Sequence, residues 1–532
     1  SWGRRRAPGQ RHTGVVSSPA PHVDDSTRDQ LVALRADLAA APYTVEAVAD
    51  VLGPSASAAL HREQPTAARR ILADDDSPVA TMVALFTLGG RMSPARIEAA
   101  FPAAGVDGLT ALGLLADDDT LEQMRGDGDD RILVATCDLR PYGDETSSWW
   151  LASDLSEIAT GQVLEPDHVL GIGGASTTLA RWTPRRTVRT ALDLGTGCGV
   201  QAAHLAGHVE HIVASDLATR ALAFVCFNAA LNDLDVEVLA GSMLEPVAGR
   251  RFDLIVSNPP FVITPRRPGM PEYEYRDGGA VGDAVVRNLV RDVGAHLEPG
   301  GVAQFLGNWE MRDGETFEDV WERWLDGVDL DALVVQREVQ DPCEYAELWA
   351  RDGGAPVGSP EYDAMYSAWL DDFAARGVER IGFGIITLQR PAEPRPRFTD
   401  LLDERGSVAA AMGPTIDAGL AARAWMARVG DDAVLDSFWQ AAPDVTEERH
   451  TKPGASDPSV IMIRQGGGFG MSIQADTVLA AFLSVCDGSM TARTALEAIA
   501  TLVDVPADDA VRGTLPLLKR LVANGFLTRV ER

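Results

Sequence analysis

ALDLGTGCG, residues 191 to 199, decides the fold: an apolar run ends in Asp193 and passes at once into Gly195, Thr196, Gly197 and Gly199, and a helical pattern opens at about Val200. Glycines at this spacing let the backbone turn sharply and leave room for a bulky ligand against the strand end and the helix N-terminus. Outward from this loop, residues 188 to 390 alternate strand-like and helix-like stretches, the pattern of a parallel sheet covered by helices. Seven strands are expected, at Thr190–Leu194, Ile212–Ser215, Val236–Leu239, Leu254–Ser257, Val302–Leu306, Leu333–Val339 and Ile381–Leu388.

The ligand suited to such a loop is a dinucleotide or S-adenosyl-L-methionine. The spacing is Gly-x-Gly-x-Gly behind an acidic residue, and the second strand ends in Asp216, placed to accept hydrogen bonds from a ribose. Both features favour the sulfonium cofactor.

The fourth expected strand, FDLIVS, runs straight into Asn258-Pro259-Pro260-Phe261 at the carboxyl edge of the sheet, where open α/β folds bind ligands. An amide or exocyclic amino nitrogen is a poor nucleophile because its lone pair is delocalised. Two acceptors, the Asn258 side-chain oxygen and the Pro259 carbonyl, can hold its N–H groups and stabilise the positive charge that develops as the nitrogen is alkylated. Prolines stiffen the loop, and Phe261 offers a flat apolar face to an amide or a base.

With both motifs in view, residues 163 to 310 resemble the HemK-type glutamine N-methyltransferases, the eukaryotic release-factor enzymes among them. The likeness continues through VITP after Phe261, a loop with Asp277-Gly278-Gly279 and Gly282, and LEPGG before the fifth strand. The upstream HVLGIGGASTTLA sits where that family has a loop closing over the active site. The resemblance implies an α/β fold with a Rossmann-like seven-stranded class I methyltransferase domain. It also implies S-adenosyl-L-methionine held by Asp193, Gly195, Thr196, Gly197, Gly199, Asp216 and Asn258, and a methyl acceptor held by Asn258, Pro259, Pro260 and Phe261. Ser242 stands where many relatives place an adenine-contacting Asp.

The rest of the chain divides around this centre. Residues 1–25 are expected to be a disordered tail, 26–145 a helical, winged-helix-like α+β domain, 146–395 the methyltransferase domain, and 396–532 a second winged-helix-like domain. An insertion at about 341–379 carries Tyr362, Met365, Tyr366, Trp369 and Phe373 on one helical stripe, either core packing or a lid or docking surface for a protein. His204, His208 and His211 read as surface residues, Gly466–Gly470 as a hairpin turn, and Arg266 with Arg267 as a phosphate or acidic-peptide contact or solvated charges.

The formal net charge of -31 repels phosphate backbones and so favours protein contacts over naked nucleic acid. Five scattered cysteines read as reduced thiols, and no apolar run is long enough for a membrane span, so a cytoplasmic protein is expected. The leading reading is methylation of a glutamine side-chain amide in a translation protein such as a release factor or ribosomal protein. Methylation of an exocyclic amino group of adenine or guanine in rRNA or DNA is the alternative, and a non-catalytic cofactor-binding scaffold the third. Oligomeric state has no signature in the sequence.

Overall fold

The computed structural model describes residues 20–118, 131–162, 164–266, 278–352 and 356–531. Most of the expected N-terminal tail, Arg267 and Asp277 lie outside them. Contacts divide the chain into two compact units, residues 1–143 with 152–165, and residues 144–151 with 166–532.

The first unit is mainly helical. Leu31, Leu34 and Leu38 line one side of the helix Arg28–Ala40 and are buried, as are Val79, Met82, Val83 and Phe86 further on. The helix Val45–His61 breaks at Gly53, which has φ 70°, just before Pro54. Proline brings no N–H to the ladder and disfavours helical backbone before it, and only glycine enters that φ cheaply. An antiparallel pair, Leu115–Asp117 with Leu133–Ala135, closes the helical run.

The second unit is built on the expected sheet. Its strands are β1 (Val188–Leu194), β2 (Val209–Asp216), β3 (Val236–Ala240), β4 (Phe252–Ser257), β5 (Leu297–Arg312), β6 (Asp331–Gln340), β7 (Val378–Gln389) and β8 (Thr399–Asp403). They lie in the order β8-β6-β7-β5-β4-β1-β2-β3, and β7 runs antiparallel to β5 and β6. From β3 to β6 this is the class I methyltransferase sheet. The eighth strand corrects the expectation of seven: TDLLD is short, polar and at the edge, so no apolar run announces it. Asp331, fully buried at the start of β6, anchors its entry by accepting from the Arg395 guanidinium and the Phe398 N–H.

Helices cover both faces. Those that matter for the site are α1 (Gly174–Trp182), α2 (Val200–Leu205), α3 (Thr219–Leu231), α4 (Ala284–Asp292), α5 (Phe317–Leu325), α6 (Pro342–Asp352) and α7 (Pro360–Arg376). On one face Trp309, Trp321 and Trp324 pack with Phe305 and Phe317. On the other, a single apolar cluster runs from Ala191 and Leu254 of the sheet through Met412 and Ile416 to Leu518 and Phe526. The C-terminal segment adds two three-stranded sheets, Phe438–Ala441 flanked by Asp487–Thr491 and Leu527–Val530, and Val445–His450, Val460–Gln465 and Ser472–Ala475 in sequence. Gly466–Gly470 lies in the turn of the hairpin Val460–Gln465 with Ser472–Ala475.

Candidate active site

The strand order reverses between β1 and β4, which opens a crevice at the carboxyl ends of both. The glycine loop enters it from β1. The Gly195 and Thr196 N–H groups donate to the Ser215 carbonyl at 2.9 and 3.0 Å, tying the loop to the end of β2. Gly195, Gly197 and Gly199 all have positive φ, at 68°, 57° and 85°. Their surroundings differ. A Cβ on Gly195 or Gly197 would meet no heavy atom within 4 Å, whereas one on Gly199 would meet Val225 at 3.3 Å. The first two keep a cradle open; the third lets α2 pack on α3.

Asp193 does not line that cradle. Its Oδ2 accepts from the Thr196 hydroxyl at 2.6 Å and from the Ala202 N–H in the first turn of α2 at 3.0 Å. It therefore caps the helix from the strand end. Burial pushes its carboxyl up to about 7, against the pull of those two donors. A carboxyl with a folded pKa above its unfolded one holds a proton that the unfolded chain releases, so its contribution to stability falls as pH rises from about 4 to about 7. Asp193→Asn keeps an oxygen for both donors and removes the charge. Urea denaturation at stepped pH is expected to show the variant gaining on the native chain by at least about 1 kcal/mol across that window; a constant difference would remove this titration from the fold.

Asp216, at the end of β2, is held by its own backbone neighbourhood. Its Oδ2 accepts from the Gly197 N–H at 3.0 Å and its Oδ1 from the Ala218 N–H at 2.9 Å. Each oxygen keeps a second lone pair for a ribose hydroxyl. Burial raises this carboxyl as well. A cavity of about 210 Å³ opens beside it, lined by Gly195, Thr196, Gly197, Asp216, Ser242, Asn258 and Pro260 among others. Two lining residues were not legible beforehand: Leu217, exposed at 62%, and Met243, with φ 46°. An aliphatic side chain left exposed beside the acidic strand end is what a flat purine would cover.

The upstream stretch forms a further wall, with Asp167, His168, Val169, Leu170, Gly171 and Ser176 lining the same cavity. Gln201 of α2 holds it there, its amide donating to the Ser176 carbonyl at 2.8 Å.

Asn258 leaves β4 directly, after Ser257 has fixed the strand end by donating from its hydroxyl to the Leu194 carbonyl at 2.7 Å. Its Oδ1 is buried and accepts no hydrogen bond among the described residues. Orphaned acceptors of this kind mark a partner still to come. Pro259 is buried and does not line the cavity, nor does Phe261, whose ring packs on Phe383 of β7 at 5.4 Å between centroids. The structure thus gathers Asn258, Pro260 and the cofactor loop around one space and sets Asp193, Gly199, Pro259 and Phe261 behind it. Arg266 turns away to donate to the Ala280 carbonyl at 3.0 Å.

Two other expectations are corrected or resolved. His204 is not a surface residue: it is buried against Trp149, 3.2 Å from Asp144 and from the Arg185 guanidinium, and burial holds its imidazole down at about 4. The aromatic stripe of the insertion packs inward, with Trp369 and Phe373 of α7 buried against Val262, Ile263 and Tyr345.

S-adenosylmethionine fits the residues present: an open glycine cradle, a carboxylate with free lone pairs at the second strand end, and an orphaned amide oxygen across the same cavity. Residues 171–324 match the family described as "Methyltransferase small domain". Residues 40–126 match one described as "Domain of unknown function (DUF7059)". The Release factor glutamine methyltransferase of Geobacter sulfurreducens is 34% identical over 158 residues, 28% of this chain and 54% of its own. The Ribosomal protein uL3 glutamine methyltransferase of Bradyrhizobium diazoefficiens is 32% identical over 186 residues, 33% of this chain and 57% of its own. The Ribosomal RNA small subunit methyltransferase C of an Enterobacter species is 31% identical over 137 residues, 25% of this chain and 35% of its own. The chain therefore spans about half the length of these two glutamine methyltransferases.

Proposed function

We propose that this chain methylates a nitrogen, the side-chain amide of a glutamine in a protein of the translation apparatus. The observation that carries the reading is Asn258, which lines the same cavity as Gly195 and Gly197 and whose Oδ1 is buried without a partner among the described residues. S-adenosylmethionine, when bound, supplies a methyl group on a positively charged sulfur. Asn258 accepts an N–H of the amide, so the lone pair is turned toward the transferred carbon and the charge growing on nitrogen is met by its oxygen. The extra proton then leaves to water. Asp216 and the open faces of Gly195 and Gly197 serve the cofactor side, while the 167–176 wall limits the entry of solvent.

A protein acceptor is favoured over a nucleobase because, among the described residues, no Arg or Lys lines the cavity, whose only formal charges are the carboxylates of Asp167 and Asp216. Among the described residues of the lining a phosphodiester meets no counter-charge, in a chain of net charge -31. Two named relatives act on release factor and on uL3, which supports glutamine as the acceptor. The test is transfer of radiolabelled methyl into a lysate lacking the enzyme, followed by protease and nuclease digestion. Label lost to protease is expected; label lost only to nuclease moves the acceptor to a nucleobase, and no label leaves a cofactor-binding scaffold.

A further inference from the structure

The loop that follows Asn258 has no ladder to hold it. Residues 258–265 belong to no helix or strand, and among the described residues both backbone hydrogen bonds of this stretch fall on one residue, Ile263. Its N–H donates to the Tyr345 hydroxyl oxygen at 2.8 Å, and its carbonyl accepts from the Trp369 indole N–H at 2.7 Å. Both partners come from the insertion, Tyr345 from α6 and Trp369 from α7.

We propose that α6 and α7 form a clamp that sets the position of the target loop, with Tyr345 and Trp369 as positioning residues for Asn258. This rests on the N-methyltransferase reading of that loop. The clamp is braced on the sheet at two points. The Asn308 amide of β5 donates to the same Tyr345 oxygen at 2.8 Å. At the far end of α7, Arg376 binds Asp372 and the buried Glu310 of β5, whose own N–H donates to Asp283 at 3.1 Å. Between these points Val262, Ile263, Ala346, Phe373 and Ile381 bury one another, with Phe261 packed on the cluster.

The chemistry requires such a brace. An acceptor five residues from Ile263 must be held to a fraction of an ångström if it is to aim a poor nucleophile, and prolines stiffen a segment without fixing where it points. Residues that touched nothing but the fold would pack on the loop by apolar contact alone. Here each main-chain polar group of Ile263 has a side-chain partner.

Tyr345→Phe removes the acceptor and strands the Ile263 N–H; Trp369→Phe strands its carbonyl. In both variants, deuterium uptake by the peptide covering residues 258–266 is expected to quicken by about tenfold or more. The affinity for S-adenosylhomocysteine should stay within about threefold, because neither Tyr345 nor Trp369 lines the cavity that Gly195, Gly197 and Asp216 share. The initial rate of label transfer from S-adenosylmethionine into lysate protein should fall on the order of ten- to a hundredfold with the KM for S-adenosylmethionine unchanged. Unchanged uptake in both variants overturns the clamp, and so does faster uptake with an undiminished rate. Should the native chain itself transfer no label, the catalytic reading fails while the uptake measurement still decides the clamp.

Discussion

Asn258→Ala is expected to slow methyl transfer by on the order of a hundred- to a thousandfold while S-adenosylhomocysteine binds within about a factor of three. The side chain occupies the point where the sheet stops and the acceptor loop begins. Ser257 holds that point from the preceding residue, and Pro259 and Pro260 constrain the backbone after it, so removing the amide leaves the loop where it was. What is lost is one preorganised oxygen. Because Oδ1 has no partner in the described protein, its removal frees no other group to misbehave, and stability should change little or rise. Asn258→Asp retains an acceptor at the same place but adds a charge, and is expected to fall between the two. The measurement is a single-turnover rate beside a calorimetric titration. A variant Ala enzyme within tenfold of the native rate would mean that this oxygen does not hold the reacting nitrogen.

What could be read in advance depended on local backbone geometry. Gly195 and Gly197 must enter positive φ beside a ligand, and Asn258-Pro259-Pro260 must end a strand; both demands fall on adjacent residues, so spacing alone betrays them. The ends of the strands were less legible because only their apolar middles stand out: β5 was expected over five residues and runs for 16. Tyr345 and Trp369 contact Ile263 across 82 and 106 residues, and no periodicity within α6 or α7 distinguishes an aromatic residue that grips a main chain from one that merely fills the core. His204 failed for the same reason, its burial being decided by Asp144 60 residues upstream. Leu217 and Met243 were hidden differently: each sits one residue beyond a position the motifs name, Asp216 and Ser242, and its role follows from lining a cavity that only the assembled sheet creates.

Gly197→Trp carries the other large expected effect, loss of S-adenosylhomocysteine affinity by at least about a hundredfold with the fold retained. A side chain here starts in open space, since the ideal Cβ meets nothing within 4 Å, and the space it enters is the cavity of about 210 Å³ that the cofactor would need. The cost to the fold is confined to a non-glycine residue at φ 57°, about 1–2 kcal/mol, because the Gly197 N–H is a main-chain donor and keeps its bond to the Asp216 carboxylate. Gly199→Ala makes the opposite trade. Its Cβ points at Val225 rather than the ligand, at φ 85°, so stability should fall at least as far while affinity stays within about fivefold. Calorimetry and thermal melting on the two variants separate the roles: binding lost at Gly197 and melting temperature lost at Gly199 is the result expected of a cradle followed by a packing contact. Near-native affinity in the Trp variant would place the cofactor elsewhere, and the cavity shared by this loop and Asn258, on which the transfer reading rests, would lose its role with it.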